Sequence, residues 1–177
     1  MSFFGDIQQE ADLRQLKHLV IGGHAVIAHG YPRFTFDFDL AIEREREAQW
    51  LECVGALGYT VSHRHETFLQ LQSTRQKWLL DLMLLSEQTF AKLFLASEIR
   101  PLSDALVRVP SAPHLIALKV HALRHGHPGR FPRDFNDVVE LVQRNKIDLS
   151  GAAMQETFRR YGTPDLYEQV RHACARR

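Results

Sequence analysis

The chain has 177 residues, 45% hydrophobic and 24% charged, with a formal net charge of +1. These values describe a globular domain with a sizeable core and exclude a disordered, fibrous or repeat architecture. The balanced charge by itself argues neither for nor against a nucleic-acid partner. Apolar runs are too short to span a bilayer, and Met1 to Asp6 lacks a basic leader region. Only Cys53 and Cys174 are present, in no C-x-x-C pair, so a reduced, cytoplasmic protein with structural thiols is expected.

In chain order, residues 4–18 carry an amphipathic helical pattern, and Leu19-Val20-Ile21 begins a strand over 19–22. A short helix from His24 to His29 leads to an acidic strand over 36–42. Glu45 to Leu57 reads as a helix closed by Gly58. Tyr59-Thr60-Val61 and residues 67–71 read as strands around a polar turn, Lys77 to Leu85 as a third strand, Glu87 to Ala96 as a helix, and Ala105 to Val109 as an edge strand. After Pro110 the pattern is helical only, over 113–125, 133–145, 150–161 and 164–175. The layout is α/β (α+β): a mixed-sheet core over 1–110, with a helical half over 111–177 expected to pack on it as one unit.

The richest segment runs from Gly22-Gly23 to Asp37-Phe38-Asp39, with Arg33 and Thr35 just upstream. A glycine pair between a strand and a helix lets a ligand approach the backbone, where the helix offers free N–H groups to an anion. Asp37 and Asp39 alternate along a strand and project from one face, roughly 7 Å apart by strand rise. Two such carboxylates repel each other and cost desolvation unless a cation lies between them. A phosphate-binding turn beside paired carboxylates points to Mg²⁺ (or Mn²⁺) and a nucleoside triphosphate.

Trp78 to Leu85 is almost uninterruptedly apolar, as a strand buried on both faces should be, and Asp81 is its only charge. On a neighbouring strand, about 4.8 Å away, Asp81 completes an oxygen-ligand site with Asp37 and Asp39. A buried Asp capping backbone or paired with an arginine is the alternative.

Further along, Lys119 falls near the centre of the apolar arc Leu115, Ile116, Leu118, Val120, Ala122 and Leu123. A lysine there must extend along its stem or meet an anion: a triphosphate, or a site carboxylate in an internal bridge. Asp134 stands in the first turn of the next helix, where an acid also suits the dipole and caps N–H groups. Asp137 points away from the stripe Phe135, Val138, Val139 and Val142 and is expected in solvent. Arg124, His125, His127, Arg130 and Arg133 form a cluster suited to phosphates, and Arg159, Arg160, Arg171, Arg176 and Arg177 a basic carboxyl end compatible with RNA.

The spaced set G-G-H-A-V-x-x-x-H-G-x-x-R-x-T-x-D-x-D resembles the nucleotidyltransferase superfamily that includes DNA polymerase beta, and within it the minimal and abortive-infection toxin nucleotidyltransferases. The superfamily places a third carboxylate where Asp81 stands. The toxin-like families carry a lysine in a K-x-x-A-L helix, here Lys119 to Leu123, and an R-D-x-x-D segment, here Arg133 to Asp137. The resemblance implies transfer of a nucleoside monophosphate from NTP to a hydroxyl. Gly22, Gly23, His24, Arg33, Thr35 and Lys119 bind the nucleotide in that reading, Asp37, Asp39 and Asp81 hold metal, and Asp81, Lys119 and Asp134 join the catalytic set. His24 stands in for the serine that often supplies a phosphate contact after the first glycine. Toxin-like relatives imply tRNA or another RNA as acceptor and a cognate antitoxin as partner. A small antibiotic-like acceptor, or an idle nucleotide-binding or antitoxin-like partner, is the alternative.

Overall fold

The computed structural model describes residues 3–75, 77–126 and 128–176. Contacts divide the chain into two compact units, Met1–Ala28 with Arg33–Pro110, and His29–Pro32 with Ser111–Arg177.

In the first unit, helix α1 (Phe3–Leu13) precedes a two-residue strand β1 (Leu19–Val20), helix α2 (Gly22–Ala28) and strand β2 (Asp37–Glu43). A 3-10 turn at Arg44–Arg46 opens α3 (Glu47–Ala56), and strands β3 (Tyr59–Arg64), β4 (Phe68–Ser73) and β5 (Leu79–Leu85) follow. Helix α4 (Glu87–Leu95), whose N-cap Ser86 accepts from the Thr89 amide, leads to the hairpin β6 (Glu98–Leu102) and β7 (Ala105–Val109). The five-stranded sheet has the order β1-β2-β5-β4-β3, with β2 and β5 parallel and the other pairs antiparallel. Leu40, Ala41, Ile42, Leu69, Leu71, Leu80 and Leu82 are fully buried from these strands, and Trp50 and Val54 of α3 are buried as well. Burial of that many large apolar side chains is the main force holding the sheet and its helices together.

The second unit is helical: α5 (Ala112–His125), α6 (Phe131–Arg144), α7 (Ala152–Tyr161) and α8 (Pro164–Ala175). Residues 29–32 are tied to α6. The Asn136 amide donates to the Tyr31 hydroxyl at 2.6 Å, and the Arg144 guanidinium lies over the Tyr31 ring.

Helix and strand positions follow the sequence pattern with several departures. Helix α1 stops at Leu13, not at 18, because Gln15 takes a left-handed φ of 55°. The Leu16 amide then bonds back to the Ala11 carbonyl, and no glycine advertises this stop. Gly58, by contrast, closes α3 with φ 85° as its position implies. Ala105–Val109 is not an edge of the main sheet; it pairs with β6 in a separate two-stranded sheet. Strand β6 carries Pro101, a residue that argues against strand. Strand β5 begins at Leu79 and is buried on one face only: Leu80, Leu82 and Leu84 are inside, while Asp81, Met83 and Leu85 are half-buried.

Candidate active site

Three carboxylates meet at the start of the two parallel strands. Asp39 and Asp81 are register partners across β2 and β5, and Asp37 pairs with Leu79 at the first position of both strands. Strand alternation sends all three to the half-open face, and each offers an oxygen within 4.8 Å of the others. So close a set of like charges favours a cation between them. Three hard oxygen donors suit Mg²⁺ or Mn²⁺ rather than zinc, so the residues present fit that ion.

The glycine turn lies against this face. The Ile21 amide donates to the Asp39 carbonyl at 2.9 Å, stitching the turn to β2. Gly22 has φ 59°, and a Cβ on it would fall on the Asp39 carboxylate, so both backbone shape and space require glycine. A Cβ on Gly23 would lie 2.8 Å from the Thr35 Cβ and 2.9 Å from an Arg33 guanidinium nitrogen. Thr35 is buried, and its hydroxyl donates to Asp37 Oδ1 at 2.9 Å, which fixes that carboxylate's rotamer. Arg33 donates to the Phe34 carbonyl at 2.8 Å and stays half-buried beside the turn.

His24 is buried and stacks flat on Phe38, with ring centroids 4.3 Å apart, while Phe4 closes edge-on. Burial pulls its pKa down to about 4 against a bond to the Asp37 backbone that raises it, and nearby Arg33 lowers it further. The ring is therefore neutral at pH 7, and its placement ties α2 to the backbone that bears Asp37.

In the second unit, Lys119 is buried on α5 and its ammonium lies 2.7 Å from Asp134 and 2.8 Å from Asp137, both on α6. Asp137 is not solvated as its helix face implied; it is completely buried. Positions i and i+3 share a helix face, so Asp134 and Asp137 reach the lysine together, and that spacing was the available signal. His127 lies outside the described residues, while Arg124, His125, Arg130 and Arg133 are exposed. At the carboxyl end Arg159 and Arg171 are paired with Glu156 and Glu168 one helical turn away, which offsets part of the basic run.

A sequence profile described as nucleotidyl transferase AbiEii toxin, Type IV TA system, matches residues 17–174. The chain belongs to the AbiEii nucleotidyltransferase family. Among curated proteins none matches by sequence. Solved structures share the AbiEii chain's fold at low identity. The antibiotic-resistance factor ANT(2'')-Ia aligns with TM-score 0.71 and 17% identity, over 98% of this chain and 96% of that one. The lincosamide antibiotic adenylyltransferase LnuA aligns with TM-score 0.57 and 14% identity, over 78% and 93%. An antigenic nucleotidyltransferase-like protein from Paracoccidioides brasiliensis aligns with TM-score 0.56 and 15% identity, over 97% and 94%. Membership makes this AbiEii protein an enzyme of nucleotidyl transfer. Among the described residues no helix is long and apolar enough to cross a membrane.

Proposed function

We propose that the protein transfers a nucleoside monophosphate from an NTP to a hydroxyl of RNA, tRNA being the leading acceptor, with release of pyrophosphate. The observation that carries this reading is the convergence of Asp37, Asp39 and Asp81 beside the Gly22-Gly23 turn. The three carboxylates hold Mg²⁺ or Mn²⁺. When bound, that ion neutralises phosphate charge and orients the in-line displacement. Thr35 locks the Asp37 carboxylate and His24 the backbone behind it. Arg33 and the turn amides of Gly22 and Gly23 receive phosphate oxygens, and Asp81 accepts the proton of the attacking hydroxyl. Lys119 and Asp134, bonded to each other at 2.7 Å, enter this reading through the K-x-x-A-L and R-D-x-x-D segments that resemble the toxin-like families.

The partner assignment, a cognate antitoxin, rests on the family's description as a toxin of a Type IV toxin–antitoxin system, and the RNA acceptor on the toxin-like resemblance of Lys119 to Leu123 and Arg133 to Asp137. The long alignment with ANT(2'')-Ia supports a second reading, a small aminoglycoside-like acceptor, since a structure of that protein holds adenylyl-2"-tobramycin. Retention of all three carboxylates argues against an idle partner. Incubation with α- or γ-labelled NTP and total RNA tests the proposal. Label should enter RNA from α-labelled NTP alone and vanish with Asp37→Asn. Label confined to a small acceptor favours the second reading, and no transfer from any NTP sinks both.

A further inference from the structure

The helical unit holds a concave pocket of about 490 Å³ at the corner where α5 gives way to α6. That volume lies in the range of sites that take a nucleoside-sized ligand. Leu123, Pro128, Phe131 and Pro132 make its walls apolar, and Arg124 and Asp134 are its two charged groups. An apolar slot with few polar groups is the usual make-up of a small-molecule site. Phe131 is stacked on Phe135 with ring centroids 5.9 Å apart, yet it is 39% exposed. A ring packed on one side and open on the other suits a flat heterocycle.

Asp134 is 8% exposed, and its Oδ1 takes the Lys119 ammonium at 2.7 Å. That is its one hydrogen bond among the described residues, so the second carboxylate oxygen is left to accept from whatever fills the pocket. A buried acceptor is satisfied by a ligand or by water. The lysine already offsets much of the carboxylate's charge, which favours a neutral N–H donor over a second cation. Arg124, fixed by its bond to the Gly162 carbonyl at 3.2 Å, repels a polycationic ligand and attracts an anionic one. Exposed Arg133 adds the same sign next to Asp134. A ligand that is flat, donates a neutral N–H and carries negative charge is a nucleotide whose base bears an exocyclic amine. Adenine and cytosine present that amine, whereas hypoxanthine and uracil put a carbonyl oxygen there, which a carboxylate repels.

We propose that this pocket binds the adenine or cytosine of a nucleotide, with the amine on Asp134, the ring on Phe131 and the phosphate toward Arg124. The nucleotide is either the NTP or the last residue of the acceptor. In both cases the pocket rests on the transfer reading above and adds a base preference to it.

Equilibrium binding tests the pocket and separates the two sources. One arm measures ATP against ITP and CTP against UTP, all with Mg²⁺. The other measures short oligoribonucleotides that differ only in a 3′-terminal adenosine, inosine, cytidine or uridine. In at least one arm the amine-bearing member should bind about tenfold or more tightly than its carbonyl counterpart, because the wrong base leaves a buried acceptor unpaired. That arm names the source. Phe131→Ala should weaken binding there by about tenfold or more, and Phe131→Tyr should restore it. Circular dichroism should show both variants folded, since Phe131 lies at the surface. Asp134→Asn should erase the amine preference, because an amide can turn either its oxygen or its N–H₂ toward the base. Binding blind to the amine in both arms, or undiminished in folded Phe131→Ala, overturns the pocket and leaves nucleotidyl transfer standing. A wild type that binds neither NTP nor oligonucleotide overturns the transfer reading, and the pocket with it.

Discussion

Lys119 and Asp137 are joined at 2.8 Å in the interior of the helical unit, and Asp137 has no exposed surface at all. Asp134 takes a second contact with the same ammonium. Two buried carboxylates thus share one lysine.

Removing that lysine takes a bonded cation from both of them. Lys119→Ala is expected to destabilise the protein by about 3–5 kcal/mol, the range for breaking a buried pair from one side. Urea denaturation followed by circular dichroism measures it. Adding Asp134→Asn and Asp137→Asn should recover part of the loss. A stable Lys119→Ala protein with weakened NTP binding would show that the lysine's main role is at the phosphates.

The carboxylate site makes the opposite prediction for stability. Asp37→Asn/Asp39→Asn removes mutual repulsion, so the metal-free protein should be as stable as wild type or more so. Mn²⁺ titration by calorimetry should show binding to wild type and none to the double variant. Unchanged affinity in a folded double variant refutes the assignment.

Gly22→Ala attacks the same site through the backbone. The left-handed φ and the Asp39 carboxylate both oppose a Cβ, so stability should fall by more than about 1 kcal/mol. Mn²⁺ affinity should fall with it, because Asp39 must move. Gly30, at φ 96° with open space around it, is the control: Gly30→Ala should lose stability but keep the metal.

The buried histidines set a pH dependence. Burial lowers the pKa of His18 and of His24 from 6.5 to about 4. Between those values the unfolded chain binds more protons than the folded one, so stability is full above 6.5 and drains as pH falls toward 4. Each histidine contributes a slope approaching about 1.4 kcal/mol per pH unit in that window. Denaturation midpoints across it should flatten in His24→Gln relative to wild type.

Much of this was readable in the residues. The alternation Asp37-Phe38-Asp39 placed two carboxylates on one face, and the lone charge of β5 identified the third. The four terminal helices followed from their apolar periodicity. What escaped depended on contacts between distant segments. Asp137 sits off the apolar stripe of α6, and its burial comes with the arrival of Lys119 from α5. The half-open face of β5 was hidden because Met83 and Leu85 are apolar without being fully covered. The flat stacking of His24 on Phe38 was hidden too, because it arises from tertiary packing that no local pattern announces.

The parallel pairing of β2 with β5 has a consequence for when the three carboxylates can come together. Strands that run the same way cannot be joined by a tight turn, and here α3, β3 and β4 intervene between Asp39 and Asp81. A ribosome-bound chain that has emerged only as far as β4 carries two of the three carboxylates and no partner strand to align them. Such non-local pairings form late and slowly. The oxygen cluster therefore cannot assemble until β5 has been made and docked on β2.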